Sequence, residues 1–242
     1  TQLSADDANE LEKIMLRLEK GEPVQYVLGS ATFCGRQFGV ASGVLIPRPE
    51  TELLCEWVVN VHDKPYCALQ PPTPLRVLDV GTGSGCIAIT LSLNMANTVV
   101  TAYDISSDAL LIARDNAIRL GAAVNFQLKD ALQLTATEET FDIIVSNPPY
   151  ICDSERTEMM RNVLEYEPLT ALFVPDDDPL RFYRAIAEYG TTALSHGGEL
   201  YFEINYRFVD EVSAMLNALG YDEIEARNDQ FGKQRFVKAI RP

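Results

Sequence analysis

The sequence contains few residues that could bind a metal ion. It has only two histidines, His62 and His196, and its five cysteines are scattered without a CxxC spacing. Because zinc sites combine closely spaced cysteines and histidines, we expect no bound metal. Scattered cysteines of odd number also indicate free thiols in a reducing compartment rather than a disulfide framework. The cysteines are Cys34, Cys55, Cys67, Cys86 and Cys152.

The sequence also lacks long apolar runs. No stretch approaches the roughly 18 to 20 apolar residues that a membrane helix requires. The start of the chain, TQLSADDANE, has neither the basic stretch nor the apolar segment of a signal peptide. We therefore expect a cytoplasmic protein that does not bind a membrane. Because the sequence begins at Thr1 rather than at a methionine, we also expect that a segment upstream of it is missing.

Basic residues are outnumbered in this sequence, with 20 Lys and Arg against 35 Asp and Glu and a net charge of −15. A protein that binds duplex DNA needs a basic surface to displace counterions. The charge balance therefore counts against a stable complex with nucleic acid. It permits a basic protein partner or a small local basic patch, and it also fits a protein whose acidity only keeps it soluble.

The N-terminal residues predict one amphipathic helix. Ser4 begins an S-x-x-D pattern that supplies an N-cap with an acid three residues later, and Gly21 ends the helix. Because one short helix cannot bury its apolar face alone, we expect it to pack on upstream helices or on the main domain. Residues 23–46 mix glycines with apolar and aromatic residues, which predicts short strands or a hairpin. The apolar face of the helix contains Leu11, Ile14, Met15 and Leu18.

Apolar strands alternate with amphipathic helices in the rest of the chain. A helix from Glu50 to about His62 precedes a proline-rich segment, KPYCALQPPTPL, which we interpret as a surface loop. The alternation predicts a doubly wound, Rossmann-like α/β fold with a mostly parallel seven-stranded sheet. The last two strands are close in sequence and predict an antiparallel hairpin at the end of this sheet. Strands are predicted at 76–80, 98–104, 124–128, 141–146, 198–204, 222–227 and 234–240, and further helices at 86–94, 107–121, near 155–164, near 179–194 and at 208–219.

A glycine-rich turn directly follows the first of these strands. Its G-x-G-x-G spacing lets the backbone turn tightly and approach a ligand, and the amides at the start of the next helix favour an anionic group. The spacing differs from the G-x-G-x-x-G that is typical of pyrophosphate binding. Considered alone, the turn fits any doubly wound nucleotide-binding protein, or a turn with only a structural role. Its residues are Gly81, Thr82, Gly83, Ser84 and Gly85.

Acidic residues near this turn indicate which cofactor it binds. Asp104 ends the second strand, where a carboxylate can accept hydrogen bonds from both ribose hydroxyls of an adenosyl group. Asp79 can support the turn or face the amino group of the cofactor. Asp130 follows the third strand and either contacts the adenine or is an exposed loop residue. We interpret the set as a site for S-adenosylmethionine, which leaves as S-adenosylhomocysteine.

The tetrapeptide Asn147-Pro148-Pro149-Tyr150 ends the fourth strand. Two consecutive prolines are a poor choice there for structure alone, because they remove backbone donors. They leave carbonyl oxygens unsatisfied at the carboxyl edge of the sheet, where ligands bind in this type of fold. The alternative is an ordinary turn. We therefore predict that this segment forms the catalytic site.

The tetrapeptide has the right chemistry to hold a planar –NH2 group. Such a nitrogen is a weak nucleophile because its lone pair is delocalised. The side-chain oxygen of Asn147 and the carbonyl of Pro148 can each accept one N–H, which localises the lone pair and directs it to the methyl group. Tyr150 can lie against the planar group. No strong base is needed, and positioning and electrostatic stabilisation should supply most of the rate.

From Gly21 to Arg241 the sequence resembles the protein-(glutamine) methyltransferases that modify class I peptide-chain release factors. Asn-Pro-Pro-Tyr is shared with adenine-amine methyltransferases, whereas IPRPETE separates release-factor enzymes from those acting on a ribosomal protein. One difference is Asn205, where the family usually has a glycine. The resemblance rests on GEPVQYVLG, F-x-x-x-x-F-x-V, LIPRPETELL, VLDVGTGSGCIAI, AYDIS, VSNPPYI, YEP-x-x-AL and D-x-x-G-x-x-R.

The resemblance implies methylation of the glutamine in a Gly-Gly-Gln loop, with class I release factors as partners. It implies that residues Asn147 to Tyr150 hold the glutamine, and that the glycine turn, Asp104, Ala131 beside Asp130, and Asn147 bind the cofactor. Arg48 lines the substrate site or belongs to a strand-to-helix cap, as does Glu50.

The resemblance also implies a domain organisation. Residues 1–22 would be the remnant of an N-terminal helical domain that binds the substrate, 23–46 a linker, and 47–242 the methyltransferase domain. We expect a monomer. Three alternatives remain open: an adenine-amine methyltransferase on nucleic acid, a glutamine methyltransferase of a ribosomal protein, and an inactive cofactor-binding scaffold.

Overall fold

The computed structural model of the chain describes residues 4–62, 73–136 and 138–242. Most of the predicted proline-rich loop, including Cys67, lies outside the described residues. The helices are α1 (Ala5–Glu19), α2 (Val24–Leu28), α3 (Pro49–His62), α4 (Cys86–Asn94), α5 (Ser107–Leu120), α6 (Arg161–Tyr166), α7 (Arg181–Ala193) and α8 (Val209–Ala218). The strands are β1 (Ser30–Phe33), β2 (Arg36–Gly39), β3 (Leu75–Val80), β4 (Thr98–Asp104), β5 (Val124–Leu128), β6 (Phe141–Ser146), β7 (Ile151–Cys152), β8 (Phe173–Val174), β9 (Leu194–Glu203), β10 (Asp222–Asn228) and β11 (Gln234–Ile240).

A seven-stranded sheet in the order β10-β11-β9-β6-β3-β4-β5 is the centre of the fold. The neighbouring strands from β9 to β5 are parallel, whereas β11 is antiparallel to both β9 and β10. The predicted Rossmann-like fold with a terminal antiparallel hairpin is therefore confirmed. The strand order reverses between β6 and β3, and open α/β sheets bind ligands at the carboxyl ends of strands at such a point.

Helices cover both faces of this sheet. On one face α3, α4 and the β1–β2 hairpin enclose a core that includes Phe33, Trp57 and Ile89. On the other face α7 and α8 contribute to a second core around Tyr183 and Phe202. Because side chains on both faces are buried, β3 and β6 consist largely of apolar residues, as expected for central parallel strands.

The N-terminal helix α1 forms as its sequence predicts. The Ser4 hydroxyl accepts the Asp7 amide, and the Asp7 carboxylate accepts the Ser4 amide in return, which completes a capping box. Arg17 of α1 donates hydrogen bonds to the carbonyls of Tyr26 and Val27, which attaches the helix to α2. Four apolar side chains of α1 remain exposed, namely Leu11, Met15, Leu16 and Leu18.

Short elements differ most from the sequence prediction. Residues 23–46 contain the predicted hairpin, but they also contain the five-residue helix α2. In place of one helix near 155–164 there is a 3₁₀-helix, Asp153–Glu158, followed after a break by α6. Helical periodicity cannot be read from one or two turns, so the sequence pattern does not separate these two segments.

Three chemical properties of the described residues bear on function. None of their helices is long and apolar enough to cross a membrane. In the same ranges no group of three or more His, Cys, Asp or Glu side chains is placed to hold a metal ion. The thiols of Cys34, Cys55, Cys86 and Cys152 are free.

Candidate active site

A cavity of about 490 Å³ opens at the carboxyl ends of β3, β4, β5 and β6. This volume lies in the range of small-molecule sites, which is roughly 300–1,000 Å³. The cavity brings together most of the residues predicted from sequence. The predicted residues that line it are Gly81, Gly83, Asp104, Asp130, Ala131, Asn147, Pro148 and Pro149.

Residues of the glycine-rich turn line this cavity. Gly83 has a left-handed φ of 55°, and a Cβ built there would meet nothing within 4 Å, so the turn leaves open space above its backbone. Gly85 caps α4, and a Cβ there would come within 3.1 Å of the Ala113 Cβ, so glycine is needed for close packing against α5. The side chains of Thr82 and Ser84, which belong to the turn, are buried.

Asp79 supports the turn from below. Its Oδ2 accepts hydrogen bonds from the Thr82 hydroxyl at 2.6 Å and from the Ala88 amide at 3.2 Å. Its Oδ1 is buried without a hydrogen-bond partner among the described residues. Burial raises the pKa of Asp79 to about 7, and the nearby charge of Asp104 adds to the effect. Of the two roles predicted for Asp79, the structure shows the contacts of a loop support.

The carboxylate of Asp104 is fixed by two backbone amides. Its Oδ2 accepts from Gly83 and its Oδ1 from Ser106, both at 2.8 Å. Burial raises the pKa of Asp104, and these hydrogen bonds oppose the rise. A carboxylate oxygen can accept more than one hydrogen bond, so both oxygens retain capacity for the hydroxyls of a ligand.

Asp130 begins the 3₁₀-helix Ala131–Gln133 at the far side of the cavity. Its carboxylate accepts the Leu132 amide at 2.9 Å and the Gln133 side chain at 2.8 Å. Asp130 therefore both caps this helix and lines the cavity. Ile105, which follows β4, and Phe182 of α7 add apolar surface to the cavity wall.

The cavity residues fit the cofactor predicted from sequence. Asp104, whose carboxylate can accept ribose hydroxyls, lies at the end of β4, Asp130 follows β5, and apolar side chains provide a wall for a flat ring. The glycine turn follows β3, which lies between β4 and β6 in the sheet, and Asn147 directly follows β6. S-adenosylmethionine has the same sequence of chemical groups, namely a base, a ribose and a sulfonium beside the reacting methyl. Asp104, Asp130 and the glycine turn would hold it.

A chain of hydrogen bonds connects Asn147 to two buried side chains behind the cavity. The Asn147 Nδ2 donates to the Thr51 hydroxyl at 3.1 Å, and this hydroxyl donates to the Glu203 Oε2 at 2.7 Å. Thr51 lies in the first turn of α3, and Glu203 is the last residue of β9. Both are almost completely buried, at 2% and 1% exposure.

Tyr150 belongs to the same network. Its hydroxyl donates to the Glu203 Oε1 at 3.1 Å, and Arg235 lies 3.5 Å from that hydroxyl. Burial raises the pKa values of both Tyr150 and Glu203, while the charge of Arg235 opposes the rise. The side chain of Asn205 donates to the Tyr150 carbonyl at 3.1 Å, so this residue, where the family usually has glycine, fixes the end of the tetrapeptide.

Arg48, for which the sequence leaves open a substrate contact or a strand-to-helix cap, forms an ion pair with Glu167. Its guanidinium donates to the carboxylate of Glu167 at 2.7 Å, and the second oxygen of Glu167 accepts the Ile46 amide at 3.1 Å. Neither Arg48 nor Tyr150 is among the residues that line the cavity in the described part of the chain. Their contact with a substrate remains a prediction.

The sequence prediction missed several residues at or behind the site. Lys129 lines the cavity, and its amine lies 4.1 Å from the centre of the Tyr103 ring. Thr51 and Glu203 carry the hydrogen bonds behind Asn147. A signal for Glu203 was present, because an acidic residue at the end of the apolar strand GELYFE must be buried with a partner. No sequence pattern identifies which residue that partner is.

Known proteins of similar sequence were identified over nearly the whole chain. A family described as methyltransferase small domain matches residues 67–166. The release factor glutamine methyltransferase of Bacteroides thetaiotaomicron is 50% identical over 240 residues, which cover 99% of this chain and 83% of the relative. The enzyme of the same name from Flavobacterium psychrophilum is 44% identical over 227 residues, covering 94% and 78%.

Solved structures of lower sequence identity share the fold. A methyltransferase from Pyrococcus furiosus superposes with a TM-score of 0.60 at 16% identity, covering 94% of this chain and 97% of the other. A ribosomal protein L11 methylase from Lactobacillus delbrueckii subsp. bulgaricus gives a TM-score of 0.53 at 20% identity, covering 83% and 82%. At these identities the similarity establishes the shared architecture.

Proposed function

The chain belongs to the release factor glutamine methyltransferases, and we propose that it transfers a methyl group from S-adenosylmethionine to the side-chain amide of a glutamine in a class I peptide-chain release factor. The target glutamine would be that of the Gly-Gly-Gln loop. Relatives named for this reaction align with 94% to 99% of the chain. The proposal covers the substrate, the cofactor and the role of each site residue.

The observation that carries the proposal is the position of Asn147 and Pro148 in one cavity with Asp104 and the glycine turn. The ends of β6, β3 and β4 are adjacent in the sheet, so an acceptor group at Asn147 lies beside a cofactor held at Asp104. Transfer of a methyl group requires the nucleophile and the donor to be held close and in line.

The protein's own residues would bind and orient the glutamine. The Asn147 side-chain oxygen and the Pro148 carbonyl each accept one N–H of the glutamine amide, which localises the nitrogen lone pair. The bound cofactor supplies a methyl group that is activated by a positively charged sulfur. The proton is lost only after the nitrogen has become cationic, so the site does not need a strong base. Preorganised acceptors of this type stabilise the developing charge.

An assay with labelled S-adenosylmethionine tests the function. Purified class I release factor, the same factor with its Gly-Gly-Gln glutamine replaced by alanine, and adenine-containing DNA would be offered separately. We expect label only on the unmodified release factor, at the Gly-Gly-Gln glutamine by peptide mass spectrometry. Label on DNA, equal label on the alanine-substituted factor, or no label on any of them would contradict the proposal.

A further inference from the structure

We propose that Thr51 and Glu203 are positioning residues that determine which end of the Asn147 carboxamide faces the substrate nitrogen. The inference rests on the proposed function, because it assigns a role to the side chains behind the acceptor site. Neither residue lines the cavity among the described residues, so both would act through Asn147.

The direction of each hydrogen bond follows from the chemistry of the groups. The Thr51 hydroxyl donates to the Glu203 Oε2 at 2.7 Å, and this bond uses the single hydrogen of that hydroxyl. The Thr51 oxygen can then only accept from its other neighbour. The Asn147 atom that lies 3.1 Å from it must therefore be the NH2 group.

This constraint turns the other end of the carboxamide away from Thr51. The side-chain oxygen of Asn147 is then available to the cavity, which Asn147 lines. In the opposite orientation the NH2 group would face the N–H groups of the glutamine, and donors would meet donors. The two ends of a carboxamide are similar in size, and rotation about its last torsion has two broad minima. Hydrogen bonding thus decides between them.

A second contact holds Glu203 in the orientation that this chain requires. The Tyr150 hydroxyl donates to the oxygen of Glu203 that does not face Thr51, at 3.1 Å. Each carboxylate oxygen of Glu203 therefore has one donor, from α3 on one side and from the catalytic tetrapeptide on the other. The last residue of β9 links these two elements and fixes the distance between them.

Thr51→Val tests the inference, since valine keeps the shape of threonine and removes the hydroxyl. We expect kcat for methylation of the release factor to fall about tenfold, as for the loss of one hydrogen bond of about 1.4 kcal/mol. Cofactor affinity should be unchanged by calorimetry. Thr51→Ser, which keeps the hydroxyl, should retain kcat close to the wild-type value.

Two further measurements separate positioning from a structural role. Adding Thr51→Val to Asn147→Ala should cause no additional loss of kcat, because Thr51 acts only through the Asn147 side chain. Thr90→Val is the matched control, since Thr90 is also a fully buried threonine but lies in α4. This control should leave kcat unchanged. An additional loss in the double variant would show a structural role and overturn the inference.

Other results of these measurements would also overturn the inference. Wild-type kcat in Thr51→Val, or equal loss in the valine and serine variants, would overturn the role of the hydroxyl. If Thr51→Val does not fold, Thr51→Ala, which also removes the hydroxyl, is measured in its place, and wild-type kcat in that variant would have the same meaning. If the wild-type protein itself does not methylate the release factor, the proposed function fails; if it does, only the positioning role is at stake.

Discussion

Arg48 and Glu167 form an ion pair across 119 positions of sequence, with a guanidinium-to-carboxylate distance of 2.7 Å. The carboxylate of Glu167 is almost completely buried and also accepts the Ile46 amide. One side chain after α6 thus fixes the segment that enters α3. Because α3 carries Thr51 in its first turn, the ion pair also helps to fix the residue that accepts the hydrogen bond of the Asn147 side chain.

Glu167→Ala should lower the free energy of unfolding by about 1–3 kcal/mol, because it leaves a buried amide without a partner. Chemical denaturation measures this change. Glu165→Ala is the matched control, since Glu165 belongs to the same segment but pairs with Arg161 at the surface. Exposed pairs contribute about 0–1 kcal/mol. Equal effects of both substitutions would contradict the structural importance of Glu167.

Asp104→Asn should weaken binding of S-adenosylmethionine about 10- to 100-fold. Hydrogen bonds to a charged group contribute about 1.5–3 kcal/mol, and asparagine has only one oxygen to accept the hydroxyls of the ligand. Isothermal titration calorimetry gives the affinity. Asp108→Asn, an exposed position in the first turn of α5, serves as control. Wild-type affinity in Asp104→Asn would exclude this carboxylate from the cofactor site.

Asn116→Ala should weaken cofactor binding, although Asn116 is not among the described residues that line the cavity. Its side chain donates to the Ser84 carbonyl at 2.8 Å and to the Gly39 carbonyl at 3.0 Å, and it accepts the Gly39 amide at 2.7 Å. The residue thereby attaches the glycine turn to the β1–β2 hairpin. We expect loss of about 1–3 kcal/mol of stability together with lower affinity. Asp115→Ala, at an exposed neighbouring position, should change neither quantity.

Asp79→Asn should change the pH dependence of stability. The pKa of Asp79 is about 7 in the folded protein against an ordinary value of 3.8, so the folded state binds a proton that the unfolded state has released. The stability from this group is present below about pH 4 and is lost as the pH rises through 7. At 1.36 kcal/mol per pKa unit, the change amounts to roughly 4 kcal/mol.

Urea denaturation between pH 4 and pH 8 checks this prediction. The unfolding free energy of the wild-type protein should fall relative to that of Asp79→Asn across this interval, since other titrating groups are common to both proteins. Asp115→Asn should give a curve parallel to that of the wild type. Parallel curves for the wild type and Asp79→Asn would show that the buried carboxylate titrates at its ordinary pKa.

Local sequence patterns were sufficient to predict most of the architecture. The helix predicted at 86–94 is α4, because a glycine turn marks its start and a continuous apolar run its length. The capping pattern at Ser4 likewise marked α1. Both signals lie within a few residues of the element that they define, and they do not depend on distant parts of the chain.

Contacts between distant residues could not be predicted in this way. Thr51 and Glu203 are separated by 152 positions, and the sequence around Thr51 reads as an ordinary first turn of a helix. The sequence leaves the role of Arg48 open between the substrate site and a cap, because its partner Glu167 lies 119 positions away. The two-residue strands β7 and β8 pair with each other, and neither has enough residues to show a period.

The order in which the chain is made has a consequence for when the acceptor site becomes competent. In the proposed positioning, Asn147 depends on Thr51, which precedes it by 96 positions, and on Glu203, which follows it. As synthesis proceeds from the N-terminus, the glycine turn and the tetrapeptide are made before β9. A chain that ends just before Glu203 contains every described residue that lines the cavity, and it would still leave the Asn147 carboxamide free to rotate. Orientation of the acceptor group is then a property acquired only when β9 joins the sheet.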